Sequence, residues 1–341
     1  MKIGIIGYQG AGKSTLFHWL TGVAPDPALA HKSQSAMAVV PDDRIEPLCQ
    51  IYKPKKITQA SLEIVDTPGL SRSHEGSAQK LATIREAGCL LIVISAFGGN
   101  DAVADLKNLD GDLLIADLDI VGGRVERLRE AVKKPRPNRD EQLAELAALE
   151  PLHEALEEER PLRDLELSPD QQKAIRSFQL FSEKPRMIIF NTDEDETGDR
   201  FREEVRANTD SVALSLGMQL DLAGMEDAER DEFCREMGVT VYNRADLIRR
   251  IMDASKQMLF FTAGEKEVRT WMIRVGGTAV EAAGNIHTDL ARGFIRAETM
   301  TVDDLLRLGS EREVKAASLM RQENKDYVIQ DGDIINIRHN A

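Results

Sequence analysis

The chain has 341 residues, a mass of 37.9 kDa and a formal net charge of −14. At roughly 100–200 residues per domain this gives two or three domains, and 42% hydrophobic with 30% charged residues excludes wholesale disorder. Three scattered cysteines (Cys49, Cys89, Cys234) exclude a disulfide scaffold and a CxxC metal site and fit a reducing, cytoplasmic setting; the longest apolar run, Cys89–Phe97, is far too short to span a bilayer.

A uniformly acidic chain would bind nucleic acid poorly, because neutralising phosphate needs Lys and Arg. The acid is not uniform. Residues 1–100 carry about +2, residues 101–256 about −14 and residues 257–341 about −2.

Lys2–Ile6, a run of glycines, then Lys13-Ser14-Thr15-Leu16-Phe17 predict strand, tight loop and helix. The loop Gly7-Tyr8-Gln9-Gly10-Ala11-Gly12-Lys13-Ser14 matches GxxxxGK[ST]. In that motif glycines let backbone N–H groups converge on phosphate oxygens, the Lys meets the β/γ-phosphates and the hydroxyl reaches Mg²⁺. The helix that follows adds its positive N-terminal end. Candidate nucleotide ligands are therefore Gly7, Gln9, Gly10, Ala11, Gly12, Lys13, Ser14 and Thr15.

Ser61–Val65 is the next strand, and Asp66-Thr67-Pro68-Gly69 closes it. An Asp at a strand end holds Mg²⁺ and the Gly69 N–H senses a γ-phosphate, although such a sequence is also an ordinary turn. Ser14 and Asp66 are the candidate metal ligands; Lys13, Gly69 and Leu70 are the candidate catalytic positions. Leu70 stands where Ras-type switches place a water-orienting Gln, so hydrolysis uses another group or is slow.

Leu90–Ser95 reads as a strand buried on both faces. Residues 113–183 are rich in Leu, Ala, Glu and Arg, with Leu143, Leu146, Leu149, Leu152 and Leu156 at helical spacing and a break at Pro135-Arg136-Pro137. They predict an inserted helical hairpin; a plain surface helix pair is the alternative. Arg127, Arg129, Lys133, Lys134, Arg136 and Arg139 bracket the break, either as a solvated face or as an RNA-contacting tip. Met187–Phe190 and Val212–Leu214 are two more strands of a mostly parallel sheet. Asn191-Thr192-Asp193-Glu194 follows the first of them, where GTPases carry Asn-Lys-x-Asp. Asn191 and Glu194 are candidate base-site residues, and for Glu194 an acidic helix N-terminus is an equal reading. Ser215 is either a base-loop residue or a turn serine.

Beyond residue 256, Trp271–Val275 predicts a strand, and Asp331-Gly332 between Tyr327–Ile329 and Ile334–Ile337 predicts a hairpin or a tight turn. The region reads as a small β-rich domain. Met218, Met225, Met237, Met252 and Met258 read as core residues.

These residues together resemble the YchF / Obg-like ATPase family, within the Obg branch of P-loop NTPases. The resemblance extends over nearly the whole chain. It runs through Val40-Pro41-Asp42-Asp43-Arg44, Leu62–Leu70 and the NxxE-like Asn191–Glu194. It is most specific at Phe261–Arg269, His287-Thr288-Asp289, Gly293–Thr299 and Val328–Asp333. It implies an α/β P-loop NTPase domain (1–112 and 184–256), a helical coiled-coil insertion (113–183) and a β-rich, ubiquitin-like TGS domain (257–341). It further implies a ribosome-associated, translation-factor-like switch with Mg²⁺, ATP preferred over GTP, and slow hydrolysis with a hydrophobic residue at the Gln position. The partner would be the ribosome, on its large subunit, or structured RNA, with no membrane and no reading of DNA sequence. A GTPase of the Obg class and a nucleotide-binding interaction module without appreciable hydrolysis are the other two readings. The chain departs from the family pattern in having Gly10 where an Asn is usual, no clear switch I Thr (Ser33 or Ser35 could serve) and no His in Leu90–Ser95.

Overall fold

The computed structural model describes residues 1–29, 32–72, 77–135, 137–193, 201, 203, 205 and 209–340. Contacts divide the chain into two units, Met1–Ala36 with Glu63–Tyr242, and Met37–Leu62 with Asn243–Ala341.

The first unit is built on the expected apolar runs. They are β1 (Lys2–Ile6), β4 (Ser61–Asp66), β5 (Cys89–Ala96), β6 (Arg186–Thr192) and β7 (Asp210–Leu214), with β2 (Gln34–Val39) at one edge, in the order β2-β4-β1-β5-β6-β7. The pairs β1–β4, β1–β5, β5–β6 and β6–β7 are all parallel. Every residue of β5 and β6 is buried, as helices on both faces of a parallel sheet require. Helix α1 (Lys13–Thr21) follows β1, α3 (Ser77–Ile84) precedes β5 and α7 (Leu216–Ala223) follows β7; α8 (Asp227–Met237) comes next.

Two long helices run through much of the segment 102–157. Helix α4 (Ala102–Ala131) starts eleven residues before 113, because the Asp101 carboxylate accepts the Ala104 N–H and caps it. Its first half, Leu106, Leu109 and Leu113, packs with the sheet cluster of Ile92, Ile94, Ile188 and Phe190. Its second half, Val121, Val125 and Leu128, packs with Leu146, Leu149, Leu152 and Leu156 of α5 (Arg139–Glu157) and with Ile175 of α6 (Pro169–Ile175). One continuous helix thus belongs to two cores, and residues 113–183 do not separate from the first unit. Leu143, at the start of the predicted stripe, is 38% exposed.

The second unit is also sheet-based, but mixed. Its strands are β3 (Ile57–Thr58), β8 (Gln257–Ala263), β9 (Val268–Arg274), β10 (Phe294–Thr301), β11 (Arg321–Glu323) and β12 (Asp333–His339), in the order β11-β10-β12-β8-β9-β3. Successive residues point to opposite faces, so Phe261 and Ile334 enter one core while Phe260 and Ile335 enter the other. Helix α2 (Ile45–Tyr52) contributes Ile45 and Leu48 to the first of these, with Val302 and Leu305 of α12 (Val302–Leu308) and Val314 of α13 (Glu311–Ala316). Helices α10 (Ala279–Ile286) and α11 (Thr288–Arg292) lie along the other face, and α9 (Arg244–Ala254) leads into β8.

Residues 37–62 and 243–256 group with the second unit; β3 pairs with β9 and α2 fills its core. Of the hairpin or tight turn expected across Asp331-Gly332, the tight turn forms and the hairpin does not. Tyr327–Ile329 holds only a bridge from Val328 to Thr278, while β12 pairs antiparallel to β10 and parallel to β8. The turn itself exists, with Gly332 at φ 83, but side chains fasten it: Asp333 accepts Tyr327 Oη–H (2.8 Å) and the Gln330 N–H, and Asp331 accepts from Arg44 (2.7 Å). Among the methionines read as core, Met218 and Met252 are buried but Met237 is 57% exposed.

Candidate functional site

The loop between β1 and α1 has the backbone that the glycine pattern implies. Gly7, Gly10 and Gly12 lie at φ 155, 83 and 101. Gly12 has no alternative: beyond its left-handed conformation, a Cβ there would sit 2.4 Å from Asn191 Nδ2. The position of Gly10 is open, so only the backbone conformation constrains it. Lys13 is buried with its Nζ donating to the Tyr8 carbonyl at 2.9 Å, within the curl of the loop. Burial pulls its ammonium down to about 8, Asp66 opposes that shift and Lys80 adds to it.

One residue on, the Ser14 hydroxyl donates to Asp66 Oδ2 at 2.6 Å, bringing together the two predicted metal ligands from 52 positions apart. The other oxygen, Asp66 Oδ1, is buried and has no hydrogen-bond partner. Burial raises the carboxyl's pKa, against the opposing pull of Ser14, Lys13 and the Thr67 backbone. A hydroxyl and a half-satisfied carboxylate side by side are hard oxygen donors, and they fit Mg²⁺. Gln9, Gly10, Lys13, Ser14, Asp66 and Gly69 line a cavity of about 300 Å³, with Asp26, Lys32 and Gln34 on its far wall. Thr15 is partly buried in the first turn of α1, and Ala11 is buried beneath the loop. Ser33 and Ser35 border a different cavity, with Lys2, Gly4 and Val65.

The segment after β4 is fastened to the phosphate loop. Thr67 Oγ1 donates to the Ile5 carbonyl (2.5 Å). The Leu70 N–H donates to the Gly7 carbonyl (3.1 Å), and the Gln9 N–H donates to the Leu70 carbonyl (3.0 Å). Gly69 passes so close that a Cβ would lie 2.7 Å from Gln9 Cα. Leu70 itself is 1% exposed and packs with Tyr8, Leu81 and Ile84, away from the cavity lining. In this arrangement the position read as catalytic is a core anchor.

Sequence reasoning missed two groups here. Lys80 Nζ donates to the Gly69 carbonyl (2.7 Å), putting a second cation near Lys13. Arg72 forms a two-pronged ion pair with Asp105 of α4 (2.6 and 3.0 Å) and lies over the Tyr8 ring, while Tyr8 Oη–H donates to Asp112. The spacing of Asp105 and Asp112 by seven puts them on one face of α4, a signal readable only once α4 is known to run beside the loop.

At the base end, Asn191 finishes β6 and is buried. Its Nδ2 donates to the Ala11 carbonyl (3.1 Å) and its Oδ1 accepts the Leu216 N–H (3.0 Å). It therefore ties the phosphate loop to the start of α7, where Ser215 is the N-cap residue without a side-chain capping bond. Asp193 accepts the Gly98 N–H at 3.3 Å. Glu194 lies outside the described residues, as does Arg136 of the basic cluster.

Three of the six residues of that basic cluster are engaged. Arg129 pairs with Glu150 and Lys133 with Glu130, and Arg139 donates to the Val132 carbonyl. No helix is long and apolar enough to cross a membrane, and among the described residues no group of three His, Cys, Asp or Glu could hold a metal.

Two family models match this chain. One, described as a 50S ribosome-binding GTPase, covers residues 2–117. The other, named for the C-terminal region of YchF GTPases and described as a protein of unknown function, covers residues 258–340. The chain is 34% identical over 364 residues to the "Ribosome-binding ATPase YchF" of Escherichia coli O157:H7, spanning 100% of this chain and 99% of the relative. It is 32% identical over 367 residues to the protein of the same name from Bacillus subtilis (strain 168), spanning 100% of both. It is 34% identical to "Obg-like ATPase 1" of Oryza sativa subsp. japonica, spanning 100% of this chain and 92% of that one. The solved structure of the Schizosaccharomyces pombe YchF GTPase superposes with a TM-score of 0.80 at 26% identity, covering 99% of this chain and 97% of that one.

Proposed function

The chain belongs to the YchF family of P-loop NTPases, and from that premise we propose that it is a ribosome-associated switch that binds MgATP and hydrolyses it slowly. The observation that carries this reading is the convergence of Lys13, Ser14, Asp66 and Asn191 around one glycine loop. Gly7–Thr15 bind the triphosphate through backbone N–H groups and Lys13. Asn191 holds Ala11 and Leu216 at fixed separation, which shapes the base cleft that Ser215 and Glu194 complete. Ser14 and Asp66 hold Mg²⁺, which when bound supplies neutralisation of phosphate charge. Gly69 offers its N–H to the γ-phosphate, and Lys80, on the Gly69 carbonyl, holds the Gly69–Leu70 peptide that follows. The partner is the large ribosomal subunit and the setting the cytoplasm; the relatives' printed name, ribosome-binding ATPase, and the family model described as a 50S ribosome-binding GTPase support the ribosomal partner.

In the same reading the helices α4 and α5 are the family's coiled-coil arm, with Arg127 and Lys134, which have no acidic partner among the described residues, near the tip. The mixed sheet of the second unit is its TGS domain, extended by residues 37–62. Burial of Leu70 favours a second version, in which binding persists with little hydrolysis. Single-turnover hydrolysis of labelled ATP with Mg²⁺, in the wild type and in Lys13→Ala, separates the two: a rate that vanishes in the variant supports the enzyme, and no rate in either supports the binding module. ATP and GTP competing for one labelled nucleotide test the choice of base, and strong GTP preference would refute the ATP assignment.

A further inference from the structure

The sequence between α2 and β3 is Lys53-Pro54-Lys55-Lys56, in a chain where acids outnumber bases 58 to 44. The second unit holds this segment rigidly. Lys53 ends α2 in the left-handed region at φ 45, and the ring of Pro54 locks its own φ. The Lys55 N–H donates to the Glu265 carbonyl (3.1 Å), and the Lys56 carbonyl accepts the Val268 N–H (3.1 Å). β3 then runs parallel to β9, pairing Ile57 with Val268 and Thr58 with Arg269. These bonds set three lysines beside the turn that carries Lys266. Next to them the Arg269 guanidinium lies 3.8 Å over the Trp271 ring, and the Trp271 Nε1–H donates to Thr262 Oγ1, which fixes the plane of the stack.

The acids nearby do not cancel this charge. Glu267 is occupied by Lys56 (3.3 Å) and by the Thr58 hydroxyl (2.6 Å). Lys53, Lys55 and Lys266 are exposed and have no acidic partner among the described residues. Like charges repel, and here the backbone keeps them together instead of letting them spread. Such a group is complementary to a row of phosphates. Lysine is a point charge without the paired donors that read base edges, so the partner is a nucleic-acid backbone and not a base sequence.

We propose that Lys53, Lys55, Lys56, Lys266 and Arg269 form a docking surface for an RNA phosphate backbone. The proposal rests on the ribosome-binding reading for the source of that RNA. Its test uses the full-length chain, an RNA duplex of about 16 base pairs carrying a fluorophore, and salt-washed large ribosomal subunits. Changing Lys53→Gln, Lys55→Gln and Lys266→Gln together lowers affinity for both probes tenfold or more at about 100 mM salt. It also shrinks the slope of log affinity against log salt by about 3, one for each lysine. ATP affinity and the melting temperature stay unchanged. Should the triple variant fold poorly, Lys266→Gln alone shrinks the slope by about 1.

Wild-type binding with unchanged affinity and slope in the variants overturns the surface and leaves the ribosome reading standing. Wild-type binding to the duplex through these lysines but not to subunits keeps the surface and removes the ribosome reading. A loss on subunits but not on naked RNA identifies an acidic protein as the partner and overturns the RNA assignment. No binding to either probe overturns both.

Discussion

The two sides of the nucleotide cleft are built to different standards. On the loop side, Lys13 donates to the Tyr8 carbonyl, Ser14 meets Asp66, and Asn191 ties the loop to α7. On the hydrolytic side the residue at the water-orienting position is a leucine, buried in the same core cluster as Tyr8. The difference teaches that gripping a triphosphate and cleaving it are separable demands. The first needs backbone curvature and one cation, and the second needs a polar group held over the γ-phosphate.

Four measurements sharpen or break this comparison. Leu70→Ala removes a buried side chain and costs about 2–5 kcal/mol of folding stability by chemical denaturation, with the single-turnover rate unchanged. A stable variant with a changed rate would instead put Leu70 on the hydrolytic side. Lys13→Ala lowers ATP affinity by a hundredfold or more, roughly 3 kcal/mol, at unchanged melting temperature; unchanged affinity by calorimetry would dissolve the phosphate side altogether. Asn191→Ala loses two buried hydrogen bonds and leaves the Ala11 carbonyl and the Leu216 N–H without their partner, costing about 1–3 kcal/mol in nucleotide affinity or stability. Equal affinity and stability in that variant would show that the loop does not need its tie to α7.

The smallest effect is a pH dependence. Lys13 titrates at about 8 in the nucleotide-free protein, below the 10.5 of a free lysine. The unfolded chain therefore binds the proton more tightly, and this residue's contribution to stability rises with pH between about 8 and 10.5. Nucleotide affinity moves the other way, because phosphate binds the charged ammonium. It falls by up to tenfold per pH unit above about 8, and Lys13→Arg removes that fall, since guanidinium stays charged. A flat affinity profile up to pH 10 would show that Lys13 stays charged without its phosphate.

Much of the cleft was legible because its chemistry is local. A loop that points N–H groups at phosphate has to use glycines at set spacings, and the strand before it and the helix after it read by periodicity. Asp66 was legible for the same reason, as the polar residue where a buried strand ends. What was not legible depended on who packs against whom. Nothing near Leu70 in sequence says that it joins the core cluster of Tyr8, and nothing near Lys80 says that its ammonium reaches the Gly69 carbonyl.

The same division applies to the whole chain. By itself the sequence determined the parallel sheet, the phosphate loop, the paired Ser14 and Asp66, and the helical stripe from Leu146 to Leu156. Those follow from side-chain period and backbone conformation, which neighbours a few residues apart dictate. Only the tertiary structure decided that α4 spans two cores, that residues 37–62 group with a sheet formed some 200 residues later, and that Asp331-Gly332 turns β12 between β10 and β8 instead of closing a hairpin. Each of these is a choice among long-range partners, settled by which apolar faces and unpaired strand edges meet, and a chain read one neighbourhood at a time does not contain that choice.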